Sequence, residues 1–309
     1  MRVLNHTTAS PGPPVRPRRP RELHDWLNNH LYHPLAWQLA RRLAHTPLTP
    51  NMVSVFGGMM VVAAGLAYLG LIPFAKGWPA SAWLGMALHM AWHVVDGADG
   101  DLARLTGRTS PIGEMVDGLC DYLSHVVLYV MLGWMVWHQG GFFAGWNAVW
   151  LILGAGFSHA VQANHAEVQK RQYQYWVYGT PWLRMSHDKR DSPTSRSWAG
   201  KLVSFYIALA SGMTPHALKI DAAVAAAAGN PQRLAQIAEA VRRESPPLLF
   251  MTKVLGPNPR AVLLGLSMVL FATPVWYLLY QAVALNLMLA LSVAMHNAAA
   301  RRIAAAIGA

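Results

Sequence analysis

The chain has 309 residues, of which 54% are apolar and 13% charged, with a formal net charge of +11. That charge content is about half the ~25% of ordinary soluble domains, and several apolar windows reach the ~20 residues a bilayer span needs, so a soluble globular protein is excluded. Cys120 is the single cysteine, which rules out an internal disulfide and a cysteine-built zinc site. The expectation is an all-α integral membrane protein, since lipid offers no partner for open backbone groups and no period-two alternation argues for a barrel.

Residues 1–22 are rich in Pro and Arg without an apolar core and read as a disordered basic tail. Residues 23–45 place Leu23, Trp26, Leu27, Leu31, Leu35 and Leu39 at helical spacing opposite polar side chains. This predicts an amphipathic helix lying on the membrane surface, bent at Pro34. Thr49-Pro50-Asn51 opens a first span over 50–72. A second covers 79–104, and after a turn at 107–110 a third covers 111–138 with Pro111 in its first turn. Gly140-Gly141 lead into a fourth over 143–170; the fifth and sixth cover 260–276 and 278–300, divided near Pro274. Between the fourth and fifth, a cytosolic insert of about 171–259 holds a short apolar segment, 198–212. At about 1.5 Å per residue it is too short to cross. Two small helices follow at 216–228 and 231–244, the second capped by Asn230 with Pro231 at its first position. The membrane domain is thus expected over 46–309.

With the N-terminus inside, 24 of the 25 Lys and Arg residues lie on the cytosolic side and only Lys76 lies outside. The positive-inside tendency accounts for the basic charge, so no nucleic-acid partner is expected. Both termini and the active site are expected in the cytoplasm, at a bacterial inner membrane.

The segment Asp96 to Asp121 carries five aspartates and Glu114 between apolar runs. Carboxylates beside lipid are costly and point to function. Asp96 and Asp99 are three apart, Asp117 and Asp121 four apart, so each pair shares a helix face. The two helices are antiparallel neighbours, and four facing carboxylates stay ionised only with a cation, for which all-oxygen ligands select a hard divalent ion. Gly97, Gly100 and Gly113 leave room for close approach, and Arg104 stands one turn beyond Gly100, where a guanidinium holds a phosphate. Acids for metal, small residues for access and an arginine for phosphate suggest a metal-bridged diphosphate. Cation or proton transport is the competing class, disfavoured because the acids bunch at one end of the bundle.

The array Asp96-x-x-Asp99-Gly100-x-x-Ala103-Arg104, eight residues, Gly113, three residues, Asp117, three residues, Asp121 resembles the complete signature of the CDP-alcohol phosphotransferase family. Thr49-Pro50-Asn51-x-x-Ser54 resembles the family's amino-terminal element. The resemblance implies a six-helix membrane enzyme, usually a homodimer, that transfers a substituted phosphate from a CDP-linked donor to an alcohol and releases CMP. It implies metal binding (Mg²⁺ or Mn²⁺) by Asp96, Asp99 and Asp117 with Asp121 beside them, Asp121 as catalytic base, and Gly100, Ala103, Arg104, Gly113 and Asn51 at the nucleotide end. Asp101 and Glu114 stand off the signature and read as solvated or supporting.

One substrate is expected to be a lipid. Thr109-Ser110-Pro111-Ile112-Gly113-Glu114 resembles the choline and ethanolamine phosphotransferase branch, which usually has His after the third aspartate; here that position is Gly118. The other direction uses CDP-diacylglycerol and a polar acceptor such as inositol, glycerol phosphate or serine. For a phosphorylated acceptor, His165, Lys170, Arg171 and Arg260 are the candidate cations, against a plainer reading as positive-inside charge. His89 and His93 share a face with Asp96 and read as cavity-lining or packed rather than as zinc ligands. His125, one turn after Asp121, is the candidate stand-in for the missing histidine. Tyr173, Tyr175, Trp176 and Tyr178 read as an interfacial belt.

Overall fold

The structure is a computed structural model that describes residues 19–180, 208 and 212–309. Among these residues the secondary structure is helical, with no strand. The residues fall into two compact units, one of 1–60 with 91–123 and one of 61–90 with 124–309. The helices are α1 (His33–Leu43), α2 (Pro50–Tyr68), α3 (Ala80–Thr106), α4 (Pro111–His138) and α5 (Trp146–Tyr178). Then come α6 (Ala217–Ala226), α7 (Pro231–Glu244), α8 (Pro246–Val254), α9 (Pro257–Phe271), α10 (Val275–Leu279) and α11 (Leu285–Ile307).

Among the described residues, four stretches are long and apolar enough to cross a membrane: Pro50–Tyr68, Met115–His138, Pro246–Phe271 and Val275–Ile307. The expected second and fourth spans fall on helices, α3 and α5, whose lengths at about 1.5 Å per residue exceed a ~30 Å core, but neither is among these apolar stretches. They fall outside the apolar set because α3 carries Asp96, Asp99, Asp101 and Arg104, and α5 carries Gln162, Asn164, His165, Gln169 and Gln172. The fifth apolar stretch begins fourteen residues earlier than expected, at Pro246 rather than 260. Lys253, Pro257 and Arg260 interrupt its hydropathy without ending it. The division near Pro274 holds: Ala272 turns into the left-handed region at φ 53° and Pro274 caps α10. Helix α5 runs eight residues past its expected end, to a left-handed Gly179.

In the first unit α1 packs on α2 and α3 through small residues. Ala36, Ala40, Val53, Val95, Ala98 and Leu102 form its apolar core. A Cβ at Gly97 would stand 3.1 Å from that of Ala36, so glycine there sets how closely α1 approaches α3. Pro34 is the second residue of α1, and a π-helical segment, Asn28–Tyr32, runs directly into it. Trp26, Leu31 and Leu35 are exposed, whereas Tyr32, Ala36 and Ala40 are buried. Burial, followed by the charge of Asp25, pushes the Tyr32 phenol up to about 12, so it stays neutral at physiological pH. Arg21 and Glu22, at the end of the segment expected as a tail, stand with Leu23 in a 3₁₀ turn. Residues 1–18, and nearly all of the short apolar segment 198–212, lie outside the described residues.

In the second unit α5 packs against α7, α8 and α11. The expected interfacial belt splits: Tyr173 and Trp176 are buried, with Trp176 Nε1 donating to Asp221 Oδ1 at 2.6 Å, while Tyr175 is half-buried and Tyr178 exposed. Tyr178 lies under the Arg242 guanidinium, 5.8 Å from its ring centre. Helix α7 matches its expected bounds, and the Asn230 side chain accepts from Arg233 N at 3.0 Å. Asn230→Ala is expected to lower stability by ~1 kcal/mol, read as a lower unfolding midpoint in detergent.

Candidate metal and nucleotide site

The site lies within the first unit. Helix α3 ends in a motif that leaves little freedom. Gly107 takes φ 65°, and Arg108 N donates to Ala103 O at 2.9 Å, which reverses the chain within four residues. Ser110 then caps α4 by accepting from Gly113 N at 3.0 Å, with Pro111 in the first helical turn. The same short turn sets Asp117 and Asp121 of α4 against Asp99 and Asp96 of α3.

Ligand oxygens of Asp96, Asp99 and Asp117 all lie within 4.8 Å of one another, and among the described residues this is the group of acidic, His or Cys side chains that converges in this way. Asp121 lies within hydrogen-bonding reach of Asp96, and Asp117 within reach of Asp99. Two like charges 4 Å apart repel by about 4 kcal/mol at an effective dielectric of ~20. Four carboxylates so placed need protons or a cation between them, and an all-oxygen donor set fits a hard divalent ion.

Two contacts that the spacing did not reveal brace the acids. Ser54 Oγ donates to Asp99 Oδ2 at 2.6 Å from α2, and Trp92 Nε1 donates to Asp121 Oδ1 at 3.3 Å from α3. Ser54 was visible in the amino-terminal element but without a role; Trp92 is four residues before Asp96 and so shares its face. Of the two readings of Asp101, the supporting one holds: it is buried and bonded to two arginines. The Glu114 side chain lies outside the described ones.

A small open cavity of about 90 Å³ adjoins Asp99 and Asp117. Its walls bring together Asn51, Gly100, Ala103, Arg104 and Gly113, all expected at the nucleotide end, with Ser54, Arg108 and Ser110. Residues of the first turns of α2 and α4 line it together with Arg104 and Arg108, so two helix N-termini and two arginines border one space. Gly113 is tightly placed: a Cβ there would meet Ser110 Oγ at 3.2 Å and Asn51 Oδ1 at 3.5 Å. Gly118 has open space around it.

The four candidate acceptor cations, in the second unit, do not gather into one exposed cluster. Arg171 is exposed and pairs with Glu167 at 2.7 Å. Lys170 is half-buried. His165 is buried and hydrogen-bonds Ser292 Oγ at 3.0 Å. Arg260, in the first turn of α9, is buried; its Nη2 donates to Gln162 Oε1 at 3.2 Å, in a network with Gln281 and Asn286. The histidines also separate. His93 packs on Tyr32 and Trp92 in the first unit, while His89, His125 and His159 pack ring against ring in the second.

Helices able to cross a membrane stand with an acid cluster and a cavity lined by Arg104 and Arg108, and the comparisons give the class: a transferase of phosphate-containing groups. The CDP-alcohol phosphatidyltransferase family matches residues 47–229, more than half of the chain, and the chain belongs to that family. Cholinephosphotransferase 1 of Xenopus laevis is 33% identical over 117 residues, 37% of this chain and 29% of that protein. The chain thus matches less than a third of that relative's length. No solved structure matches.

Proposed function

We propose that the chain catalyses metal-dependent transfer of a substituted phosphate from a CDP-linked donor to an alcohol in phospholipid synthesis, releasing CMP. The observation that carries this is the convergence of Asp96, Asp99 and Asp117 within 4.8 Å, beside a cavity lined by Arg104 and two helix N-termini. Asp96, Asp99 and Asp117 hold one or two divalent ions, Mg²⁺ or Mn²⁺, with Asp121 beside Asp96. Such an ion, when bound, supplies Lewis acidity and neutralises charge on the diphosphate. Arg104, Asn51, Gly100, Ala103 and Gly113 receive the nucleotide end. The acceptor hydroxyl attacks the phosphorus of the transferred group, the bond to the CMP oxygen breaks, and Asp121 takes the hydroxyl proton. Positioning supplies much of the effect, since a carboxylate is a weak base toward an alcohol.

The choline/ethanolamine direction, a CDP-amino-alcohol with a diacylglycerol-like acceptor, is favoured over CDP-diacylglycerol with inositol, glycerol phosphate or serine. Two observations support it: the match to a cholinephosphotransferase, and the lack of a gathered cluster at His165, Lys170, Arg171 and Arg260. Gly118 pulls the other way, because the amino-alcohol branch usually has His there. Six spans, an interfacial segment at 23–45, cytosolic termini and a homodimer complete the reading. The Lys and Arg asymmetry and the exposed Trp26, Leu31 and Leu35 support the topology. The test presents purified protein with CDP-choline, CDP-ethanolamine, CDP-inositol or CDP-diacylglycerol and radiolabelled acceptors. Labelled diacylglycerol entering a phosphodiester product with an amino-alcohol donor is expected; product only with CDP-diacylglycerol reverses the direction.

Ser54→Ala removes the bond that orients Asp99. It is expected to weaken Mn²⁺ activation about 10- to 100-fold, measured as the Mn²⁺ concentration for half-maximal CMP release.

A further inference from the structure

Asp101 is not in the three-acid cluster and does not line the cavity, yet it is one of the most buried acids of the first unit, 2% exposed. A single oxygen, Oδ1, accepts from Arg104 Nη2 and from Arg19 Nη2, each at 2.6 Å. Arg104 is one turn further along α3, and its side chain is about half exposed. Its guanidinium lies across Gly100, 3.4–3.8 Å from where a Cβ would stand, and opens onto the cavity. An exposed arginine left to itself samples many rotamers, at an ordering cost of about 2 kcal/mol. A buried carboxylate holding one N–H fixes the fork and leaves the remaining donors for a ligand. Arg19 comes from 82 residues earlier in the chain and lies within electrostatic reach of Asp96. The trio carries a net charge of +1, so the two guanidinium groups keep a positive balance for an anion while leaving no buried charge unpaired.

We propose that Asp101 is a positioning residue, fixing Arg104 for the diphosphate of a CDP-linked donor, and that Arg19 locks Asp101 and so makes the amino-terminal segment part of donor binding. This rests on the proposed reading of the cavity as the donor's nucleotide end. The clamp acts on the donor alone, since the acceptor needs neither guanidinium.

The test compares Asp101→Asn, Arg19→Ala, Arg19→Lys and the double variant Arg19→Ala/Asp101→Asn by CMP release, with donor and acceptor varied separately. Loss of one charge-assisted bond on this path corresponds to about a tenfold rise in donor KM. Such a rise in Asp101→Asn and in Arg19→Ala is expected, with acceptor KM unchanged, partial recovery in Arg19→Lys, and a double variant no worse than the worse single one. Arg19→Ala keeps the buried acid and its pairing with Arg104, so it carries the test if Asp101→Asn fails to fold. An unshifted donor KM in Arg19→Ala, equal shifts in donor and acceptor KM, or fully additive effects overturn the clamp. The two failures read apart. Active wild type with unshifted donor KM overturns the clamp alone, whereas wild type that releases no CMP from any donor overturns the donor reading and the clamp with it.

Discussion

Asp121→Asn is expected to lower the rate of CMP release by at least about a thousandfold, in the upper part of the range for loss of a positioned general base. The substitution keeps shape and the capacity to accept the Trp92 N–H, so the 3.3 Å contact survives and the helix pair is undisturbed. What disappears is the charge that receives the acceptor's proton. Donor KM should change far less than kcat, because an interaction used only as the alcohol attacks is missing from the ground state. Mn²⁺ affinity should fall only a few-fold, since Asp121 stands beside Asp96 rather than in the three-acid cluster. A variant that retains most of its kcat removes Asp121 from the proton transfer.

Asp117→Asn and Asp99→Asn should abolish activity by a different route, through the metal. Each removes one of three carboxylates that converge within 4.8 Å, and with it one charge in a site whose attraction for a cation depends on their sum. At an effective dielectric of ~20, a divalent ion about 2 Å from a carboxylate oxygen is held by more than enough to make each ligand decisive. The expected result is no measurable CMP release at a Mn²⁺ concentration that saturates wild type, with bound Mn²⁺ lost when followed by electron paramagnetic resonance. Chelation of wild type with EDTA should have the same effect, reversed by added Mg²⁺ or Mn²⁺. Bound Mn²⁺ persisting in Asp117→Asn assigns the ion to another place.

The acid array was legible because its chemistry is local. Three- and four-residue spacings fix a helix face, and Gly107 with Ser110-Pro111 fixes the turn that brings the two faces together. Helices α4 and α7 were readable to the residue for the same reason: proline or a capping side chain marks their starts. Contacts between residues distant in sequence were not legible. The sequence left Asp101 open between solvated and supporting because its partner Arg19 lies 82 residues away, and nothing in the spacing of either residue announces the pair. Arg260 read as a positive-inside charge because it opens an apolar stretch. Its burial depends on Gln162, 98 residues earlier, whose polar neighbours on α5 also kept that helix out of the strongly apolar set. The start of the fifth apolar stretch was missed because Lys253 and Pro257 break the hydropathy of a segment that the fold keeps helical on both sides.

The account turns on one measurement: CMP formation by purified protein from a CDP-linked donor and an alcohol, with Mn²⁺ or Mg²⁺ and again after EDTA. It predicts CMP that requires acceptor and divalent ion together and that vanishes in Asp117→Asn. CMP formation indifferent to EDTA, or none from any donor with metal present, contradicts it.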